Sequence, residues 1–186
     1  MTGPLHSHQP FYCEENVWKM FERRPRPNGV VLFISNPARA VCMTEQRAAS
    51  PGSPLVWDYH VVGLRPKEVE RAWTVHDLDT RLFFGIRLES YLARSFPSNL
   101  PHPFQPAFRW IPSAVFVERF WSDRSHMLDE HGRYRAPPPL WRAPSGSERG
   151  SLPLRELLRF DRRPPGTSPW VDRRALRRFF CGRRAS

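Results

Sequence analysis

Two segments rich in β-branched and aromatic residues lie on either side of a short polar turn, and they restrict the possible folds more than any other part of the chain. Residues 55–64 and 72–77 each have the composition of a strand. Because only the turn at residues 66–70 joins them, we expect an antiparallel hairpin. Alternation in the first strand places Asp58, His60 and Val62 on one face and Trp57, Tyr59 and Val61 on the other.

Amphipathic segments before and after this hairpin in the sequence predict several helices. Helical spacing or start signals occur at residues 13–22, 86–96, 154–160 and 171–180, and after Ser113, the expected N-cap of a helix. The predicted inward faces contain Val17, Met20 and Phe21; Leu88, Tyr91 and Leu92; and Phe116, Val117 and Phe120. Residues 30–35 and 108–111 are further predicted strands, and residues 36–54 a loop. Together these elements indicate the α+β class.

The length of 186 residues, with 40% hydrophobic residues, fits one compact domain. We expect a flexible leader at residues 1–10, the domain at 11–182 and a basic tail at 183–186. No apolar run is long enough to span a bilayer, and the leader lacks the pattern of a signal peptide. We therefore expect a monomeric protein in the cytoplasm, without membrane contact.

The three cysteines, Cys13, Cys42 and Cys181, form no Cys-x-x-Cys pair and are odd in number, which argues against a disulfide framework and a zinc site. The net charge of +11 is carried almost wholly by arginine, with the surplus concentrated after residue 142. Such charge attracts nucleic acid. Since no helix-turn-helix, zinc-finger or aromatic RNA-binding pattern accompanies it, we expect no nucleic-acid role.

Cys13 begins a predicted helix, where unpaired backbone N–H groups and the helix dipole favour a thiolate and can also bind an oxyanion. His60 is the candidate base, and Asp77 would orient its ring if the two residues pair directly across the hairpin. A slip in pairing would bring Asp79 into competition with Asp77. Each residue also has a structural reading: a buried small residue, a core histidine and a strand end followed by a turn.

Several longer motifs closely resemble the protein N-terminal glutamine amidohydrolase family. They are FYCEENVWK at residues 11–19, VLFISN at 31–36, WDYHVV at 57–62, DLDT at 77–80, SDRSHM at 122–127 and the three prolines at 137–139. The resemblance covers nearly the whole chain. It implies a papain-like or transglutaminase-like α+β fold, in which helices flank an antiparallel sheet, and a cysteine hydrolase with the triad Cys13, His60 and Asp77. It also implies protein or peptide substrates whose N-terminal Gln is converted to Glu, no cofactor or metal, and, in eukaryotes, a place in an N-degron pathway.

Selection of an N-terminal residue requires a group that holds its free α-amine. Glu15 and Asp58 are the candidate carboxylates, and a backbone carbonyl can serve as well. We expect Trp57 and Tyr59 to be core residues. For residues 122–127 we expect the Asp123–Arg124 region to cap a helix and hold a loop, although Ser125 and His126 can alternatively form a pocket wall. Two rival functions stay open: a transglutaminase-like acyl transfer between glutamine and an amine, and an inactive basic protein that binds nucleic acid.

Overall fold

The structure is a computed structural model that describes residues 8–23, 28–147 and 150–182. The predicted tail at residues 183–186 and most of the predicted leader at residues 1–10 lie outside these described residues, so both stay predictions. Within the described parts of the chain, no helix is long and apolar enough to cross a membrane.

Five helices and nine strands follow one another in the described residues. The helices are α1 (Cys13–Glu22), α2 (Leu88–Ser95), α3 (Ser113–Arg119), α4 (Leu154–Leu157) and α5 (Arg173–Cys181). The strands are β1 (Val30–Ser35), β2 (Val41–Met43), β3 (Leu55–Trp57), β4 (Tyr59–Lys67), β5 (Ala72–His76), β6 (Ile86–Arg87), β7 (Ala107–Pro112), β8 (Phe120–Trp121) and β9 (Leu152–Pro153).

A five-stranded antiparallel sheet in the order β6-β5-β4-β1-β7 forms the centre of the domain. One core lies between α1, α3 and α4 and one sheet face, with Phe21, Phe33 and Phe116 fully buried in it. A second core packs α2 and α5 on the opposite face, around Leu32 and Tyr91. The predicted α+β domain with helices flanking an antiparallel sheet is therefore confirmed.

The hairpin exists, but its register differs from direct pairing of His60 with Asp77. Gly63 pairs with His76, and the register, continued past the strand end, places residue 79 across from His60. The difference arises at the tip, where a 3-10 turn at Glu68–Glu70 and a left-handed residue, Arg71 at φ 47°, lengthen the connection. Asp77 lies one residue beyond β5, where it is free of the pairing.

The predicted strand at residues 55–64 is broken in two at Asp58. The Asp58 carboxylate accepts the N–H of Tyr59 at 2.9 Å, and its backbone carbonyl accepts the hydroxyl of Ser35 at 2.7 Å. As a result β3 pairs with β2, inside the predicted loop, and only β4 enters the central sheet. Alternation is interrupted at this point, so Trp57 does not take the face opposite His60 as expected.

Three smaller expectations are corrected at element ends. Ile86 and Arg87 pair with β5, so α2 begins at Leu88, although its predicted inward face is buried as expected. Helix α3 begins at Ser113 itself, whose buried hydroxyl has no hydrogen-bond partner and so caps nothing. The C-terminal helices also differ in extent from the predictions, ending at Leu157 and Cys181.

The guanidinium of Arg109, 1% exposed in the central sheet, ties the C-terminal third to the sheet. It donates to the carbonyls of Leu157 at 2.9 Å and Arg162 at 3.1 Å, and it lies over the Trp170 ring at 4.6 Å. Burial lowers its pKa to about 10. Part of the arginine surplus therefore serves the fold.

Gly63 in β4 permits the close approach of α1. A Cβ atom at this position would lie 2.4 Å from the terminal methyl of Met20 and 3.1 Å from the Phe21 ring. Both contacts are closer than real Cβ atoms ordinarily show, so a larger residue must push the helix outward or force new rotamers. The seat of α1, and with it the position of Cys13, depends on this missing side chain.

We therefore expect Gly63→Ala to lower the free energy of unfolding by about 1–3 kcal/mol, measured by urea denaturation. Met20→Leu removes the terminal methyl that the new Cβ would meet, so the double variant should be more stable than the sum of the single changes predicts. Strict additivity of the two changes would contradict the proposed contact.

Candidate active site

A cleft of about 550 Å³ opens beside the N-terminal end of α1. It is lined by Phe11, Cys13, Arg39, Val56, Trp57, Asp58, Tyr59, Asp79, His126, Met127, Arg135 and Ala136. These residues come from the segment before α1, from α1, from the β3–β4 junction, and from loops that follow β1, β5 and β8. The cleft thus joins distant parts of the chain around one cysteine.

Cys13 is the first residue of α1 and is 8% exposed. Its Sγ donates to Glu14 Oε2 at 3.5 Å. Burial raises the pKa of the thiol well above its ordinary value, and the negative charges of Glu14 and Asp79 add to this rise, while a hydrogen bond with the Val61 backbone opposes it. The thiolate-favouring effect expected of a helix N-terminus is therefore outweighed in the free protein.

His60 and Asp77 form a buried pair, with His60 Nε2 3.0 Å from Asp77 Oδ1. Two further donors hold the carboxylate: the Tyr91 hydroxyl at 2.8 Å and the backbone N–H of Asp79 at 2.9 Å. The ring of Trp57 stacks on the imidazole, with centroids 5.5 Å apart and planes 13° from parallel. The stacking on Trp57 therefore fixes the plane of the imidazole ring, and the hydrogen bond to Asp77 fixes the position of Nε2.

The other ring nitrogen, His60 Nδ1, is buried and has no hydrogen-bond partner. With Nε2 bound to Asp77, a neutral imidazole carries its proton on Nε2 and leaves Nδ1 free to accept one. Among the described residues, the Cys13 sulfur makes its side-chain hydrogen bond to Glu14 and makes none to this nitrogen. The free protein thus holds a thiol and an oriented base that are not joined.

Charge pairing decides the protonation of His60 and Asp77. Burial tends to raise the pKa of the Asp77 carboxyl, but the charge and hydrogen bond of His60, with help from Tyr91, bring it below its ordinary value. Burial tends to lower the pKa of His60, yet Asp77 raises it above its ordinary value. The stabilisation from the pair is therefore lost as pH falls through the folded pKa of Asp77, and as pH rises through the folded pKa of His60.

Glu14 is fully buried at the centre of a second polar group. The Tyr59 hydroxyl donates to Glu14 Oε2 at 3.0 Å, and His126 Nε2 lies 3.3 Å from Oε1 without a well-aligned hydrogen bond. Burial tends to lower the pKa of His126, but the neighbouring Glu14 carboxylate raises it above its ordinary value. The Glu14 carboxylate, next to Cys13 in the sequence, thus contacts both His126 and Tyr59 on the wall of the cleft.

Glu15, an expected binder of the substrate amine, is occupied elsewhere in the structure. Its carboxylate accepts Arg124 Nε at 2.9 Å, Arg124 Nη2 at 2.8 Å and Trp141 Nε1 at 3.0 Å, and its side chain is fully buried. Arg124 also donates to the carbonyls of Pro139 and Trp141. Glu15 therefore holds the loop at residues 122–141 against α1 and has no oxygen facing the cleft. Asp58, the other candidate, does line the cleft.

Sequence reasoning missed Trp57 and left the place of His126 open. Trp57 was expected in the core, but it stacks on His60 and lines the cleft, whereas Tyr59 lies in the core as expected and also lines the cleft. His126 was left as an alternative pocket wall, and it lies in the cleft while its neighbour Arg124 holds the loop. The signal that was available is Asp58, a turn-forming residue within an apolar run, which marks the strand break that redirects Trp57.

His60, Asp77 and Asp79 offer ligand atoms that lie within 4.8 Å of one another. Nitrogen and oxygen ligands of this kind can hold a divalent cation. In this structure, however, His60 Nε2 and Asp77 are bound to each other, and the Asp79 carboxylate is bound to His8 at 2.7 Å. We assign these atoms to the hydrogen-bond network and treat none of the three as a metal ligand.

Asp77→Asn removes the charge that holds the pKa of His60 above its ordinary value. We expect the pKa of His60 to fall in this variant, because burial then acts with little opposition. Titration of the imidazole by NMR measures the change. Asp161→Asn, at an exposed carboxylate of the C-terminal segment, is the matched control and should leave the His60 titration unchanged. An unchanged His60 titration in Asp77→Asn would contradict the pairing.

Arg124→Ala leaves the buried carboxylate of Glu15 without its cation. The expected loss is about 3–5 kcal/mol of unfolding free energy, since an unpaired buried charge is strongly destabilising. Arg133→Ala breaks an exposed pair with Asp129 and should leave the denaturation midpoint nearly unchanged, because solvent screens such a pair. Equal denaturation midpoints for the two variants would show that the Glu15–Arg124 pair does not hold the loop.

The chain is similar to known proteins over most of its length. A family model described as N-terminal glutamine amidase matches residues 8–174. Among similar proteins named protein N-terminal glutamine amidohydrolase, those of Bos taurus and Homo sapiens are each 38% identical to the chain. The matches cover 70% and 69% of the chain and 66% of each relative, so they span about two thirds of those longer proteins. That of Caenorhabditis elegans is 32% identical over 87% of the chain and 89% of its own length.

The matched region contains the complete sheet, α1 and every residue that lines the cleft. It also includes Cys13, His60 and Asp77. On this match, the chain belongs to the N-terminal glutamine amidase family.

Proposed function

We propose that the protein hydrolyses the side-chain amide of an N-terminal glutamine in proteins or peptides, giving glutamate and ammonia. One observation carries the proposal: a buried imidazole, oriented by Asp77 and with Nδ1 unpartnered, stacks on Trp57, which lines the same cleft as a cysteine at a helix N-terminus. The names of the relatives supply the substrate, since they state what those proteins act on.

In the proposed reaction Cys13 is the nucleophile, His60 the acid and base, and Asp77 the group that orients His60. His60 Nδ1 takes the thiol proton, and the sulfur attacks the carboxamide carbon. Backbone N–H groups in the first turn of α1 are the natural donors to the resulting oxyanion. Collapse of this intermediate breaks the C–N bond, and the imidazolium gives its proton to the departing ammonia.

The remaining thioester is hydrolysed by water. Neutral His60 removes a proton from the water, the water oxygen attacks the thioester carbon, and the C–S bond breaks. The imidazolium then returns the proton to the sulfur, which restores the free enzyme and releases glutamate at the N-terminus. No cofactor enters any of these steps.

The contact of the sulfur with Glu14 belongs to the resting state in this scheme. Because the thiol is buried beside a carboxylate and its pKa is raised, Cys13 is held as a thiol until a substrate enters the cleft. Rotation of the sulfur toward Nδ1 then starts the reaction. We infer that the scaffold is of the papain-like or transglutaminase-like kind, because a cysteine at the start of a helix packs on an antiparallel sheet that carries the histidine.

The test compares a Gln-initiated peptide with an isomer that has its glutamine at an internal position. Wild-type protein should release ammonia from the first alone, with the mass gain that replacement of NH₂ by OH produces. Cys13→Ala should lose at least about a thousandfold in kcat, and Asp77→Asn about 10²–10⁴-fold. Cys42→Ala, at a partly buried cysteine of β2 outside the cleft, is the matched control and should retain activity.

An active Cys13→Ala protein of native fold would refute the role given to Cys13. The same assay separates the rival functions. A transglutaminase-like enzyme would need an added amine for rapid ammonia release. A nucleic-acid-binding protein would show salt-sensitive binding that survives Cys13→Ala and would release no ammonia. Cytoplasmic location, a monomeric state and a place in an N-degron pathway remain predictions of the sequence.

A further inference from the structure

The cleft contains two carboxylates, Asp58 and Asp79, among the residues that line it. Asp79 is buried, at 8% exposure, and its Oδ1 lies 2.7 Å from Nε2 of His8. His8 belongs to the segment that precedes α1. Hydrogen bonds of 2.8 Å in both directions between Gln9 and Asn16 hold this segment in place. A nitrogen donor from the protein's own N-terminal part thus lies on a carboxylate of the cleft.

We infer that Asp79 binds the α-ammonium group of the substrate's N-terminal residue, and that the His8 ring occupies this position in the free protein. The inference rests on the proposed function and deepens it by naming the group that selects a chain terminus. The inferred ligand is the primary ammonium group of a substrate residue whose own side chain reaches the Cys13 sulfur.

The reach of a glutamine fits this arrangement. In glutamine the α-nitrogen and the carboxamide carbon are about 5 Å apart when the side chain is extended. Cys13 and Asp79 line the same cleft, and the charge of Asp79 is near enough to contribute to the raised pKa of the Cys13 thiol. In the inferred complex one glutamine residue places its ammonium on the carboxylate and its amide carbon at the sulfur, since both groups line one cleft.

Other carboxylates near the site fit less well. Glu15 is paired with Arg124 and Trp141. Glu14 holds Tyr59 and Cys13. Asp58 is exposed and already accepts the Tyr59 N–H, and it is not among the groups that act on the Cys13 thiol. Asp79 alone among these combines a place in the cleft, burial and an exchangeable partner.

Burial of Asp79 gives the discrimination. An internal or acetylated glutamine that entered the cleft would displace His8 and cover the carboxylate without supplying a positive charge. Leaving a buried charge unpaired is costly, so such substrates are rejected. A free ammonium also neutralises the field that Asp79 exerts on Cys13, and the thiol therefore loses its proton more readily once the correct substrate is bound.

The experiment measures turnover of a peptide and the rate of alkylation of Cys13. A purely structural role of Asp79 would not make the first fall while the second rises. Asp79→Asn should lower kcat/KM for a Gln-initiated peptide by about 10²-fold. It should also bring the ratio of kcat/KM for the free peptide to kcat/KM for the N-acetylated peptide towards one. In the same variant without substrate, alkylation of Cys13 by iodoacetamide at fixed pH should become faster, since a negative charge beside the thiol is gone.

Three further variants complete the comparison. Asp58→Asn should keep the preference for a free amine. Glu70→Gln, at an exposed carboxylate on the hairpin tip, should change neither quantity. His8→Ala should lower KM for the Gln-initiated peptide, because the substrate no longer displaces the ring. An unchanged free-to-acetylated ratio in Asp79→Asn, slower alkylation of that variant, or loss of the preference in Asp58→Asn would overturn the inference.

A separate measurement distinguishes failure of this inference from failure of the proposed function. Methionine amide carries an α-ammonium but no side-chain amide to hydrolyse, and N-acetylmethionine amide lacks the charge. Protection of Cys13 from alkylation by the first alone, lost in Asp79→Asn, supports the ammonium site even if the wild-type protein releases no ammonia. Equal protection by both compounds would overturn the ammonium site whatever the turnover.

Discussion

The burial of the first turn of α1 is the constraint on which the site depends. Glu14, Glu15 and Asn16 follow Cys13 in this turn, and all are removed from solvent. Burial of charged and polar groups is costly unless they are paired. Tyr59 from β4 pairs with Glu14, Arg124 with Glu15, and the Gln9 backbone with Asn16. These pairs bring the central sheet, the loop at residues 122–141 and the N-terminal segment to one end of the helix, where they form the walls of the cleft.

The same burial determines the chemistry of the free protein. Low exposure and neighbouring carboxylates keep the Cys13 thiol protonated, whereas Asp77 and the stacked ring of Trp57 hold His60 ready with one nitrogen free. The thiol and the imidazole are thus held separately. In the proposed reaction they act as nucleophile and base, the substrate joins them, and its ammonium compensates the charge that opposes ionisation of the thiol. Such a site is protected from unwanted thiol chemistry when it is empty.

Arginine serves two different purposes in this chain. Arg109 and Arg124 lie inside the protein, where planar guanidinium groups satisfy several backbone carbonyls and a carboxylate at once. In α5 the arginines follow a different pattern: Arg174, Arg177 and Arg178 line a shallow surface depression. The high net charge is thus a mixture of structural and surface contributions, and its sum alone indicates no partner.

Local pattern in the sequence determined the helix that begins at Cys13, the strand at residues 30–35, the hairpin and the inward face of α2, because periodicity and turn residues are properties of neighbouring positions. It also pointed to His60 and Asp77 as partners, which their hydrogen bond bears out as a contact. Only the tertiary structure decided the hairpin register, the stacking of Trp57, the pairing of Glu15 with Arg124 and the place of His126 and Asp79 in the cleft. Those features join residues far apart in the chain, and the cost of burying charge, which selects among possible partners, is set by the packed environment and not by sequence spacing.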